Sequence, residues 1–118
     1  MKTYKTYNGK NVTVDEQLNH CQAGLRYYDN GDACLVSYTT EVLYYNATAD
    51  ILTCFGLFSL TTRRHISLAL CKYFQNSTLN YYDVRYLVEL GYGWGIKNPF
   101  DKWYYCNVIT GETLEPVK

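Results

Sequence analysis

Ser59-Leu60-Thr61-Thr62-Arg63-Arg64-His65-Ile66-Ser67-Leu68-Ala69-Leu70-Cys71-Lys72-Tyr73-Phe74 is the stretch around which the rest of the chain can be arranged. Ile66, Ala69, Leu70, Tyr73 and Phe74 fall at i, i+3, i+4, i+7 and i+8. That apolar stripe has the helical period and predicts a helix over 62–75. Thr61 or Thr62 is the expected N-cap, its hydroxyl accepting from a first-turn N–H. Asn76-Ser77 supplies the stop. Arg64, Leu68, Cys71 and Gln75 fall opposite the stripe and His65 at its border. Arg63, Arg64 and His65 crowd the first turn, where the helix dipole disfavours cations. One reading is an anion site made of free backbone N–H groups and two guanidiniums. The other is a solvated face on which Arg63 and Arg64 pair with carboxylates and His65 is a hydrogen-bonded boundary residue.

Around this helix the signals alternate between strand and turn. Residues 3–7 predict a short strand, and Asn8-Gly9 a turn. Thr13-Val14-Asp15-Glu16 has the form of a capping box and predicts a helix over 14–21. Residues 25–28 and 33–38 are β-rich and flank Asp29-Asn30-Gly31-Asp32, a hairpin signal whose two central residues should both take positive φ. Residues 42–45 and 51–55 continue a meander into the central helix. Asn80, with Asp83 three residues on, caps a further helix over 80–90 with Tyr81, Val84, Leu87 and Val88 on its apolar side. Tyr82 and Tyr86 lie on the opposite face. Gly91-Tyr92-Gly93-Trp94-Gly95 lacks the Lys-Ser/Thr ending of a phosphate loop and reads as a flexible connection with aromatics over the core edge. Trp103–Ile109 predicts a strand, and 114–118 a short tail. The fold class is therefore α+β: a small antiparallel β-sheet, a hairpin meander, packed against two to three helices, with 1–118 as one globular domain.

Eleven basic and eleven acidic residues balance, which argues against a generic electrostatic nucleic-acid binder and against an acidic mimic of DNA. The chain carries 14 Tyr against 4 Phe and 2 Trp, a bias that suits either half-buried strand positions or a contact surface. No apolar run is long enough to span a bilayer, and no secretory leader stands out, so a cytoplasmic protein is expected. Cys21, Cys34, Cys54, Cys71 and Cys106 are odd in number and form no C-x-x-C pair, as expected for reduced thiols. His20 and Cys21 are adjacent and chelate poorly, so neither a metal site nor a cofactor is expected. A Cys–His pair of His65 with Cys34 or Cys54 is conceivable, but no orienting residue or nucleophile elbow accompanies it. Lys2, Lys5 and Lys10 with Arg63 and Arg64, interleaved with Tyr4 and Tyr7, form the best local patch for nucleic acid.

Leu35-Val36-Ser37-Tyr38-Thr39-Thr40-Glu41-Val42 and Ser59-Leu60-Thr61-Thr62-Arg63-Arg64-His65-Ile66 together resemble a family of small uncharacterised proteins of bacteriophages and other mobile elements. Its pattern is a strand with Ser-Tyr-x-Thr-x-Val, here Ser37, Tyr38, Thr40 and Val42, then Ser-x-Thr-Thr-x-x-His opening a helix, here Ser59, Thr61, Thr62 and His65. No functional residue carries over. The resemblance implies a setting, a bacterial host whose macromolecules such proteins bind, inhibitors of defence nucleases among them, including anti-CRISPR proteins. The expectation is a non-enzymatic accessory protein that occludes a host protein or ribonucleoprotein complex through Arg63, Arg64, Tyr82, Tyr86, Tyr92 and Trp94. The alternatives are a nucleic-acid-binding accessory protein using Lys5, Lys10, Arg63, Arg64 and His65, and a small thiol- or His-dependent enzyme. A homodimer is a further option for so Tyr-rich a domain.

Overall fold

In the computed structural model, residues 5–7, 10–17, 22–56 and 59–116 are described, with side chains for 17, 22–56 and 59–116. The elements are β1 (Lys5–Tyr7), β2 (Lys10–Gln17), β3 (Ala23–Tyr28), β4 (Ala33–Ser37), β5 (Thr40–Asn46), β6 (Ile51–Cys54), α1 (Leu60–Tyr73), α2 (Tyr81–Leu90), β7 (Trp94–Lys97), β8 (Tyr104–Asn107) and β9 (Thr113–Leu114). Among the described residues every strand pairs antiparallel with its neighbour in sequence, so the sheet runs β1 to β9 in order. Short turns suffice for such a meander. The one long excursion is the helical pair between β6 and β7. The fold is α+β, a sheet packed against two helices.

One face of the sheet carries the core. Leu25, Leu35 and Leu43 lie opposite one another across β3, β4 and β5, and Leu52, Ile96 and Tyr105 do so across β6, β7 and β8. Ile66, Ala69, Leu70 and Phe74 of α1 and Val84 and Leu87 of α2 close on that face. Each fully buried branched side chain contributes about 1.5–3 kcal/mol. A bulge in β5 adds to it. Leu35 pairs with Leu43 but Val36 with Glu41, which leaves Val42 as the extra residue. Val42 and Leu43 are consequently both buried, though a regular strand would send one outward. The opposite face holds a smaller cluster of Tyr28 and Cys34 with Val36 and Tyr44 against it.

Several expectations change in three dimensions. Residues 10–17 form a strand, not the start of a helix over 14–21. Val12, Thr13 and Val14 are β-branched, and β2 pairs with β3 from Val12 to Gln17, with a register shift between Val12 and Val14, Asp15 opposite Arg26 and Glu16 opposite Leu25. A four-residue box is weak against pairing on both edges, to β1 and to β3. Residues 18–21 of that expected helix, including His20 and Cys21, lie outside the described residues, as do Asn8 and Gly9. The 29–32 hairpin is a three-residue loop. Gly31 N–H donates to Tyr28 O at 3.1 Å, Tyr28 N–H donates to Asp32 O at 2.9 Å, and only Gly31 takes positive φ. The glycine-aromatic run is not merely a connection, because Trp94–Lys97 is strand β7. Leu114, expected in a short tail, forms the edge strand β9 with Thr113.

Both helices start on their caps. Ser59, rather than Thr61 or Thr62, caps α1, its Oγ accepting from Thr62 N–H at 3.2 Å. The helix thus begins one turn before its apolar stripe. At α2 the expected box is complete: Asn80 Oδ1 accepts from Tyr82 and Asp83 N–H, and Asp83 Oδ2 from Asn80 N–H at 2.8 Å. Gly91 ends α2 with φ 110° and donates to Leu87 O.

Candidate functional site: an apolar groove beside helix α2

The expected contact residues divide into two groups on the flanks of α2. At its N-terminal end Arg63 is held by aromatic rings. Its Nη2 donates to Tyr82 Oη at 3.1 Å, and its guanidinium carbon lies 4.9 Å from the Tyr81 ring centroid and 5.6 Å from that of Tyr82. Arg64 points to solvent from the same turn. Among the described residues neither arginine pairs with a carboxylate, and α1 has no acidic residue in its first turn. The reading in which both arginines sit in surface ion pairs is therefore replaced by an aromatic clamp on Arg63. Tyr82 and Tyr86 share an open hollow with Asp83, Arg85, Glu89 and Tyr105. Tyr86 does not stand free in it. Its ring lies 5.2 Å from that of Tyr105 at the core margin.

At the other end of α2, Tyr92 and Trp94 line a groove of about 650 Å³. Its walls come from the end of β6 (Thr53, Cys54, Phe55), the end of α2 (Leu87, Val88), the 91–94 segment, and Val108 and Ile109 after β8. Among the described residues no charged side chain lines it. Phe55, Val88, Tyr92, Val108 and Ile109 are all exposed, Tyr92 by 89% and Ile109 by 62%. Trp94 forms the half-buried floor, packed on the core. Val88, placed on the apolar side of α2 by its spacing, is left facing this groove.

The 91–94 and 108–110 walls are both bonded to one buried residue. Asn107 Oδ1 accepts from the N–H groups of Ile109 (2.9 Å) and Thr110 (3.0 Å), while Nδ2 donates to Tyr92 O (3.2 Å). Val108 N–H donates to Gly93 O at 2.9 Å. Gly93 has φ 89°, and a Cβ there would stand 2.9 Å from Asn107 Oδ1 and 3.1 Å from Ile109 Cδ1. The segment bearing Tyr92 and the turn bearing Val108 and Ile109 are thus locked in an exposed apolar display. Sequence reading counted Val108 and Ile109 inside a strand. The signal against that was two adjacent branched residues before Thr110-Gly111, of which at most one could face the core.

The tyrosine excess goes mostly into packing. Tyr27, Tyr45 and Tyr73 pack among themselves and against Phe74 and Phe100. Among the tyrosines whose side chains are described, Tyr38, Tyr82 and Tyr92 are the exposed ones.

The polar groups that could do chemistry are occupied. His65 is buried, not at a boundary, and its Nδ1 lies 2.8 Å from Ser37 Oγ, tying α1 to β4. Burial, with Arg64 adding repulsion, lowers its pKa below 6.5, so the ring is held neutral. Tyr38 covers it at 5.8 Å between ring centroids, from a turn where Tyr38 itself takes φ 57°. Cys34 cannot partner His65, because its Sγ lies on the opposite face of the sheet, 3.4 Å from Tyr28 Oη. Burial raises the pKa of Cys54 and Cys106, which disfavours their thiolates. Asp32 is buried and accepts from Tyr44 Oη at 2.5 Å and Ala47 N–H at 2.8 Å, joining two turns. Among the described residues no three His, Cys, Asp or Glu side chains gather as a metal site. Lys5 and Lys10 lie on β1 and β2; their side chains, with Lys2 and Tyr4, lie outside the described residues. Since α1 rests on β4 and β5, the strands bearing Lys10 and Lys5 are two and three strand spacings, roughly 10 and 14 Å, from the nearest strand under the arginines' helix.

No helix among the described residues is long and apolar enough to cross a membrane. Residues 1–83 match the model of a family described as a family of unknown function, DUF8033. No curated protein and no solved structure matches the chain.

Proposed function

We propose, for a chain that belongs to the family of unknown function DUF8033, a role as a non-catalytic domain that binds a partner protein through the groove beside α2. The observation that carries this reading is the charge-free groove whose exposed apolar walls are held in place by Asn107. Soluble domains seldom keep a contiguous apolar surface facing water unless a partner covers it. Locking the walls beforehand lowers the ordering cost of binding. Tyr92, Trp94, Phe55 and Ile109 are the side-chain types that dominate interface energetics or fill its apolar centre. The resemblance to small phage and mobile-element proteins suggests the class of partner: a host protein or ribonucleoprotein complex, a defence nuclease in the anti-CRISPR manner, blocked by steric occlusion.

The test compares the tagged wild type with Val88→Glu/Ile109→Glu as bait in bacterial lysate, with nuclease treatment and mass spectrometry. A stoichiometric protein that survives nuclease and is lost with the double variant is the expected result. Retention of the same partner by the variant would place the contact elsewhere. Nucleic acid alone, removed by nuclease, would favour a nucleic-acid-binding role.

A further inference from the structure

Resting on the groove reading, we infer that the occupant is a short segment of a partner protein with apolar anchor residues flanked on one side by carboxylates. Two features of the surface select this chemistry. The groove has no charge on its walls, so a charged side chain entering it would lose water without gaining a partner. Branched aliphatic Val88 and Ile109, with Tyr92 and Phe55, instead complement an aliphatic or aromatic anchor.

The second feature is the pair of arginines. Tyr81, over which Arg63 lies, and Val88, in the groove wall, are seven residues apart on α2. They fall on the same side of the helix, about 10 Å apart along its axis. The arginine-bearing turn and the groove are thus neighbouring parts of one surface. The carboxylates of α2 are already engaged. Asp83 caps the helix through Asn80 N–H, and Glu89 pairs with Arg85 at 3.6 Å. Arg63 and Arg64 remain as cations with no carboxylate among the described residues. Arg63 is moreover immobilised by two rings, which lowers the entropy lost on forming a charge-assisted bond. About three extended residues span the distance from groove to arginine. A nucleic acid fits less well. Its phosphates need cations along the path, whereas the described groove walls carry none.

The experiment selects short phage-displayed random peptides on the full chain. The enriched peptide is then labelled with fluorescein and titrated by anisotropy against wild type, Ile109→Glu, and Arg63→Glu/Arg64→Glu. Circular dichroism checks that each variant is folded. The expected consensus has aliphatic or aromatic residues flanked on one side by Asp or Glu. Binding should be lost with Ile109→Glu and weaken about tenfold or more with the arginine reversal, or when the peptide acids become amides. An apolar consensus indifferent to the arginine reversal overturns the acidic assignment and leaves the groove reading standing. A failure to enrich any peptide, or binding unaffected by Ile109→Glu, overturns the groove reading as well. Sedimentation of the chain with phosphatidylserine-containing vesicles, lost on the arginine reversal, would assign the surface to a membrane and overturn the inference.

Discussion

Two buried polar residues show how single side chains hold this surface together. Asn107 accepts two backbone N–H groups and donates to Tyr92 O. Asn107→Ala leaves those groups without their partner and should cost about 2–3 kcal/mol in urea unfolding. It should also free both groove walls, so selected peptides should bind more weakly even where the protein is still folded. His65 makes a pH prediction. Its folded pKa lies below the unfolded 6.5, because burial disfavours the charged ring. The unfolded chain then binds more protons as pH falls below 6.5. The stability tied to the neutral ring is complete above that value and is lost as pH drops toward the folded pKa. Urea midpoints taken from pH 7.5 to 5.5 should fall more steeply for wild type than for His65→Gln. Equal slopes would mean that His65 is not held neutral by the fold. The Ser37–His65 contact ties β4 to α1 between residues far apart in sequence.

At the level of elements, a short seam of the described sheet runs between β6 and β7, where Ile51–Lys97 and Leu52–Ile96 are paired, as few as between β8 and β9. The groove opens at the end of this seam, where the strands part beneath Leu87 and Val88. Gly95 keeps the seam closed. A Cβ at that position would stand 2.6 Å from Ile51 Cγ2 and 3.0 Å from Leu52 O. Gly95→Ala should destabilise by about 1–3 kcal/mol through overpacking, visible as a lower thermal midpoint. An unchanged midpoint would show that the seam can yield. This glycine also explains why β7 was hard to read. Gly91-Tyr92-Gly93-Trp94-Gly95 lacks the β-branched run that marks a strand, yet Gly95 is required there by the backbone of β6. The helices were readable because cap and stripe are local. Asn80 with Asp83 and the Ile66–Phe74 stripe both appear as the sequence implies. Strand β2 was not readable, since its hydrogen bonds come from β3 and its neighbours in sequence mimic a cap.

The whole molecule puts its core on one sheet face and leaves a rigid apolar display at the end of α2. Val88 and Ile109 are exposed, so Val88→Glu/Ile109→Glu should leave unfolding free energy within about 0.5 kcal/mol of wild type. The same change should sharply reduce fluorescence of an apolar dye bound to the native protein. A large loss of stability would mean that the groove is part of the core and not a binding surface.

Local order determined much of this protein: the α+β class, both helices, the 80–83 cap, and the tyrosine and arginine candidates at the two ends of α2. These follow from period, cap and composition, which act over a few residues. Tertiary structure alone decided that Arg63 lies on Tyr81 and Tyr82, that His65 is buried on Ser37, and that Tyr86 belongs to the core margin. It also decided that Phe55, Val88, Tyr92 and Ile109 line one groove. The physical reason is that burial depends on which distant strand or helix arrives opposite a side chain. Residues 55, 88, 92 and 109 share no local pattern until the sheet and α2 bring them together.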